Sequence, residues 1–329
     1  MPETFVPPMT LKRRLRRLRR AVRGSIAALR GSGSSVNDTL AANPLMFAEK
    51  TYNTAHPDYE PELVRCYSGR LHNLEYANGN PLFLEINRLA RRGKVPNRAW
   101  RQILDAAMAE ARGVAGFDQV AERKAYVDTT LAELGQRYQS HFVAGWVNLV
   151  DAQFLYWLVR RLRPKTVVQT GVSNGLSSAY IMLALAKNGP EGRLHAIDLP
   201  HIFDPADPHW TQTGFLHGVV IPQGKSSGWL VPDIYRERFD LEVGDAKVLL
   251  PPLIDRVGAV DMFFHDSDHT YNHMMFEFDQ AARKLAPNSV IVADDISWNT
   301  SLWDFADAHR LPGYNYRATV GLAFLPGTN

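Results

Sequence analysis

Thr166–Ser178 reads TVVQTGVSNGLSS. Its first five residues are a short β-branched run that suits a strand buried in a parallel sheet. Gly171 to Gly175 is a glycine-punctuated turn, and Leu176 to Lys187 carries helical spacing of apolar residues. The same order repeats downstream. Arg193–Asp198 (RLHAID) predicts the next strand. Phe239–Val243 predicts another, followed by Gly244-Asp245 and a helix to Ile254. Val260–His265 (VDMFFH) and Ser289–Ala293 (SVIVA) predict a fourth and a fifth, with helices over Tyr271–Leu285 and Asn299–His309. Tyr314–Thr319 and Gly321–Leu325 read as a closing antiparallel pair. This alternation implies an α/β fold, a doubly wound Rossmann-like sheet with ligands at the carboxyl ends of its strands.

Upstream, residues 37–163 read as a helical region. Pro61–Tyr67, Pro81–Arg92, Asn97–Arg112, Asp118–Leu134 and Val143–Leu162 have helical periodicity, with Asn97 and Asp118 where N-caps belong. Phe142, Trp146, Val150, Phe154, Trp157 and Leu158 form a broad apolar face, read as core. The region offers no catalytic constellation and suits a cap or an oligomer surface. The organisation expected is therefore residues 1–36 as a basic segment, 37–163 as a helical cap and 164–329 as the ligand-binding α/β domain.

Composition bounds the answer. The chain has 329 residues, of which 45% are hydrophobic, enough to bury a substantial core. No apolar run reaches the ~20 residues that span a bilayer. Cys66 is the single cysteine, so an internal disulfide and a CxxC metal site are excluded. Met1 to Met9 shows no apolar signal region, and a cytoplasmic location is expected. Net charge is +3, yet Lys12 to Arg30 holds nine Lys or Arg and no acid, so the rest of the chain is net acidic. A basic excess confined to one segment argues against a broad nucleic-acid footprint. Leu11, Leu15, Leu18, Val22, Ile26 and Leu29 make one apolar stripe through that segment, a basic amphipathic helix over 11–30. It suits an anionic surface, an acidic partner or a second copy of the chain, and a homo-oligomer is expected. Gly31–Ser35 (GSGSS) is a flexible break.

The chemistry is sought at the strand ends. Gln169 to Gly175, Asp198, Asp245, Asp266 with His269, and Asp294 with Asp295 stand at five successive ends. The loop is neither GxGxxG nor GxxxxGK[ST], so the dinucleotide and P-loop fingerprints both fail. GxxxG alone also suits plain helix–strand packing. Asp198, 23 residues after Gly175, stands where an acid accepts hydrogen bonds from ribose hydroxyls, and together they point to an adenosine-type cofactor. Asp266, Asp294 and Asp295 offer hard oxygen ligands suited to Mg2+. His265, His269 and His273 recur every four residues, but a strand end and a helix cannot present all three on one face, which argues against zinc. His269 is cast as a general base, with a structural hydrogen bond as the alternative role.

These motifs carry a resemblance. VVQTGVSNGLSS (167–178), HAIDLP (195–200), GWLVPD (228–233), GDA (244–246), FFHDSDHTYNHMMFEF (263–278) and ADDISWN (293–299) resemble class I S-adenosylmethionine-dependent methyltransferases. Within them they resemble the metal-dependent macrolide-sugar O-methyltransferases. The resemblance implies that Gly171, Ser173 and Gly175 line the cofactor, Asp198 holds its ribose and Asp245 sits near its adenine, with Gln169, Ser177 and Asp266 also at the cofactor. It implies Mg2+ on Asp266, Asp294 and Asp295, and His269 deprotonating a hydroxyl of a small-molecule or glycoside acceptor. Gln169 stands where the family usually has an acid. Pro287-Asn288-Ser289 replaces a usual glycine pair, and Asn tolerates the positive φ that a turn needs. His201–Ser227 reads as a lid closed by an anchoring Trp229. Two other readings stay open. One is a metal-dependent catechol or phenol O-methyltransferase, and the other a non-catalytic S-adenosylmethionine-binding scaffold.

Overall fold

The computed structural model describes residues 70–91, 97–138, 142–200, 221–317 and 319–327. The basic helix over 11–30, the break after it, the helix over 61–67 and loop residues 201–220 lie outside them.

Eight strands form one sheet: β1 (Arg70–His72), β2 (Thr166–Thr170), β3 (Arg193–Asp198), β4 (Phe239–Val243), β5 (Val260–His265), β6 (Leu285–Ala293), β7 (Gly313–Tyr316) and β8 (Val320–Phe324). Their spatial order is β1-β7-β8-β6-β5-β2-β3-β4. β6, β5, β2, β3 and β4 are parallel neighbours. β8, β7 and β1 extend the sheet antiparallel beyond β6. The chain runs outward from β2 to β4, then returns to place β5 on the other side of β2. That reversal is the switch point at which open α/β sheets bind ligands.

Alternate residues of each strand feed opposite faces. Val167, Leu194, Met262, Phe264 and Val292 pack on one side with helices α1 (Pro81–Arg91), α2 (Asn97–Ala111), α3 (Phe117–Tyr138), α4 (Leu149–Leu162) and α5 (Leu176–Asn188). Val168, Ile197, Phe263 and Ile291 pack on the other with α6 (Ala246–Val257), α7 (Tyr271–Ala282) and α8 (Ser301–Ala308). Helices thus cover both faces, as the alternation predicts.

The upstream helices share the core of the sheet. Phe154 of α4 stacks on Tyr316 of β7 with centroids 3.8 Å apart, and Trp100 Nε1 donates to the Tyr314 hydroxyl at 2.8 Å. Phe154 and Leu158 are fully buried, whereas Phe142 packs apart from them beside Tyr138. α4 starts at Leu149 rather than Val143, because Asn148 caps it by accepting from the Asp151 N–H at 3.1 Å. β1 is a three-residue strand inside the stretch read as helical, paired to β7. β6 begins earlier than predicted. Asn288 takes φ +65° there, where the register against β5 slips, so the positive φ allowed by Asn becomes a bulge within a longer strand.

Candidate active site at the carboxyl edge of the sheet

At the switch point the turn after β2 lies back to back with the turn after β5. Gly171 has φ +77°, and a Cβ added there would stand 1.9 Å from the Asp266 carbonyl oxygen. Only glycine lets the two backbones approach this closely. The Asp266 N–H donates to the Thr170 carbonyl and the Asp294 N–H to the His265 carbonyl, each at 2.9 Å, so strand pairing continues into the turns. Beside this contact opens a cleft of about 250 Å³, lined among others by Gly171, Ser173, Asp198, Asp245, Asp266 and His273.

Each predicted residue has a place. Ser173 sits at φ +53° and its hydroxyl donates to the Ala144 carbonyl at 2.8 Å. Asp198 accepts from the Val172 N–H at 2.9 Å and from the Ser227 hydroxyl. Asp245 caps α6 by accepting from the Lys247 N–H at 2.8 Å. Gln169, Gly175 and Ser177, like His269, Asp294 and Asp295, lie outside the cleft lining. Gln169 is fully buried, with Nε2 donating to the Gly171 carbonyl at 2.7 Å and to Ser177 Oγ at 2.9 Å, while Oε1 accepts from Ser178. It braces the glycine turn from beneath instead of reaching a ligand, and Ser177 is taken up in the same contact. Gly175 is set by packing, since a Cβ there would lie 2.7 Å from Gly228 Cα. Trp229 is anchored as expected, its Nε1 donating to Asn174 Oδ1 at 2.8 Å.

His269 is next to Asp266 of the cleft lining without lining it itself, its ring held edge-on to His265 with centroids 5.3 Å apart. Its Nε2 is 3.9 Å from Asp266 Oδ1 and 3.7 Å from Asp295 Oδ2. Asp295 occupies φ +50°, a left-handed conformation uncommon outside glycine, and Asp294 beside it is buried. The structure thus gathers Asp266, Asp295 and His269. It does not turn the carboxylates into a ligand sphere: among the described residues no three His, Cys, Asp or Glu side chains converge as a metal site. Two of the three acids expected on Mg2+ flank an imidazole instead. The donor set does not fit the ion as arranged.

One group escaped the sequence reading. Glu277 of α7 is fully buried and bonded to both His265 and His273. Burial alone would push its carboxyl up; the two histidines and their hydrogen bonds outweigh that and hold it below the ordinary range. Burial likewise works to lower His273, while Glu277 and Asp268 together raise it. The four-residue spacing of His273 and Glu277 places them on one helix face, a local signal that says nothing of Thr170 and His265.

Residues 168–296 match the family model of a methyltransferase domain. The matched stretch runs from β2 to the turn after β6, the part of the sheet that builds the cleft. No curated protein matches the chain. Among solved structures, an O-methyltransferase from Bacillus cereus in complex with SAH is 13% identical, covering 63% of this chain and 90% of its own, with a TM-score of 0.43. An O-methyltransferase from Streptomyces achromogenes involved in tomaymycin synthesis, in complex with SAM, is 17% identical over 60% and 89%, with a TM-score of 0.39. An SAH-bound methyltransferase of Podospora anserina is 12% identical over 64% and 88%, with a TM-score of 0.42. Among the described residues no helix is long and apolar enough to cross a membrane.

Proposed function

We propose that the protein is an S-adenosylmethionine-dependent O-methyltransferase acting on a sugar or glycoside hydroxyl, with His269 as general base. One observation carries this reading. The Gly171 and Asp266 turns touch at the switch point of a methyltransferase domain, which places the cleft beside the His269–Asp266–Asp295 cluster.

In this reading Asp198, on the rim of β3, accepts from the ribose hydroxyls. Its two oxygens already take one hydrogen bond each, which leaves acceptor capacity on both. Gly171 and Ser173 follow the methionine part, and Asp245 the adenine side. The reaction is a displacement at carbon. The acceptor oxygen forms a bond to the methyl group as the carbon–sulfur bond breaks, its electron pair stays on sulfur, and the sulfonium becomes a neutral thioether. Alignment of oxygen, carbon and sulfur contributes up to ~7–11 kcal/mol. The hydroxyl proton passes to the His269 imidazole. Opposite charges ~4 Å apart attract by about 4 kcal/mol at an effective dielectric of ~20. Asp266 and Asp295, at 3.9 and 3.7 Å, therefore stabilise the imidazolium as it forms.

Metal assistance rests on the strand-end acids of the sequence and on the family resemblance, and is an arm of the test. The full chain is incubated with methyl-labelled S-adenosylmethionine and a panel of glycosides and catechols, with Mg2+ and with a chelator. Label on a glycoside, lost in His269→Ala, is expected. Label on catechols only would replace the sugar acceptor by a phenol. Calorimetric binding of S-adenosylhomocysteine with no labelled product would leave a binding protein, and no binding would remove the cofactor assignment.

A further inference from the structure

Buried carboxylates are rare unless every lone pair has a donor. Glu277 meets that condition. Its Oε2 takes the Thr170 hydroxyl at 2.6 Å and His265 Nδ1 at 2.6 Å. Its Oε1 takes the Ser267 hydroxyl at 2.7 Å and His273 Nε2 at 2.9 Å. An ionised carboxylate only accepts, so the hydrogens are fixed on His265 Nδ1 and His273 Nε2. Four donors fill about four acceptor sites. They come from the end of β2, the end of β5, the turn after β5, and α7 itself.

The placement of these donors is what matters. Asp266 lies between His265 and Ser267, and both of those side chains are tied to Glu277. The Asp266 carbonyl is the atom against which Gly171 packs. The His265 ring is a wall for His269. A single buried side chain therefore holds the turn that carries Asp266, the wall behind His269 and, through the Gly171 contact, the turn that lines the cleft. Plain fold stabilisation does not require this. An apolar residue would fill the same space without four polar partners to satisfy.

We propose that Glu277 is a positioning residue for methyl transfer, setting the places of Asp266 and His269 from inside the protein through His265 and Ser267. The inference rests on the reading of His269 as the base, and its test keeps the two apart. Full-length wild type, Glu277→Gln, Glu277→Asp and Thr170→Val are prepared with 15N-labelled histidine. Three readouts are taken: the histidine ring resonances, calorimetric affinity for S-adenosylhomocysteine, and methyl transfer to the best acceptor of the panel. In wild type His265 shows the Nδ1–H tautomer. In Glu277→Gln that signature is lost and the resonances of His269, which Glu277 does not touch, move with it. Cofactor affinity falls several-fold, and kcat falls by about 100-fold with little change in the acceptor KM, the loss a ~1 Å misplacement produces. Glu277→Asp restores part of the rate.

Thr170→Val removes one donor of the four at constant shape and shifts the same readouts in the same direction by a smaller amount. It decides the matter if Glu277→Gln does not fold. A folded Glu277→Gln, or a folded Thr170→Val in its place, with His269 resonances and cofactor affinity unmoved would overturn the proposal. So would a wild-type His265 lacking the Nδ1–H tautomer. If wild type methylates no acceptor, the O-methyl transfer reading fails, and the resonances and the affinity still decide the role of Glu277.

Discussion

Replacing Gly171 by alanine tests the back-to-back contact of the two turns. The added Cβ would begin 1.9 Å from the Asp266 carbonyl oxygen, well inside the 3.0 Å floor of real Cβ contacts, so the turns must separate by roughly 1 Å. Two costs add. An L-residue at φ +77° carries a left-handed cost of about 1–2 kcal/mol. Forcing packed backbone apart costs about 1–3 kcal/mol more. Gly79→Ala isolates the first, since Gly79 sits at φ +75° with nothing within 4 Å of an added Cβ. Urea unfolding should show Gly171→Ala destabilised by about 2–5 kcal/mol and the Gly79→Ala control by about 1–2 kcal/mol. Calorimetry should show affinity for S-adenosylhomocysteine reduced at least ~10-fold in Gly171→Ala alone, a loss of about 1.4 kcal/mol or more. A Gly171→Ala protein as stable as Gly79→Ala, binding that ligand like wild type, would refute the reasoning.

Other expectations are simpler. His269→Ala should lower turnover by about 10²–10⁴-fold, the range of general-base catalysis, while affinity for S-adenosylhomocysteine stays within about threefold; equal losses in both would mark His269 as structural. Asp198→Asn should weaken cofactor binding by about 10–100-fold, since hydrogen bonds to a charged acceptor contribute ~1.5–3 kcal/mol, and unchanged calorimetric affinity would contradict its ribose role. Glu110 is held at about 2, first by its hydrogen bond from Arg160 and also by Tyr156, against the upward push of burial. A carboxyl depressed in the folded state adds stability that is present above its unfolded value near 4.5 and is lost as pH falls toward 2. Glu110→Gln should therefore flatten the acid limb of the stability curve between those two pH values, and an unchanged limb in denaturant titrations would contradict the pairing.

The central parallel strands β2, β3 and β5 were legible because their inner residues are buried, as in TVVQT and VDMFFH, and the structure places β2 to β5 at the predicted bounds. β1 was not legible. RLH has no strand signature of its own and is extended because β7 offers it an unpaired edge. Two acids of the expected metal set face His269, and nothing local in DSDH or ADD says which way a carboxylate turns. Gln169 followed the same logic. Its strand-end position suggested a ligand contact, while its side chain found Ser177 and Ser178 one turn into the next helix. Glu277 was hidden for a different reason. A glutamate seven residues into a helix reads as a solvated face until the tertiary fold brings Thr170 and His265 against it.

The most direct test is a crystal of the full chain grown with S-adenosylhomocysteine. The account predicts the ribose hydroxyls on Asp198, the adenine beside Asp245, and the sulfur turned toward the side of the cleft where Asp266 and His269 stand. Ligand bound away from the Gly171 turn, or a sulfur pointing away from His269, would contradict it.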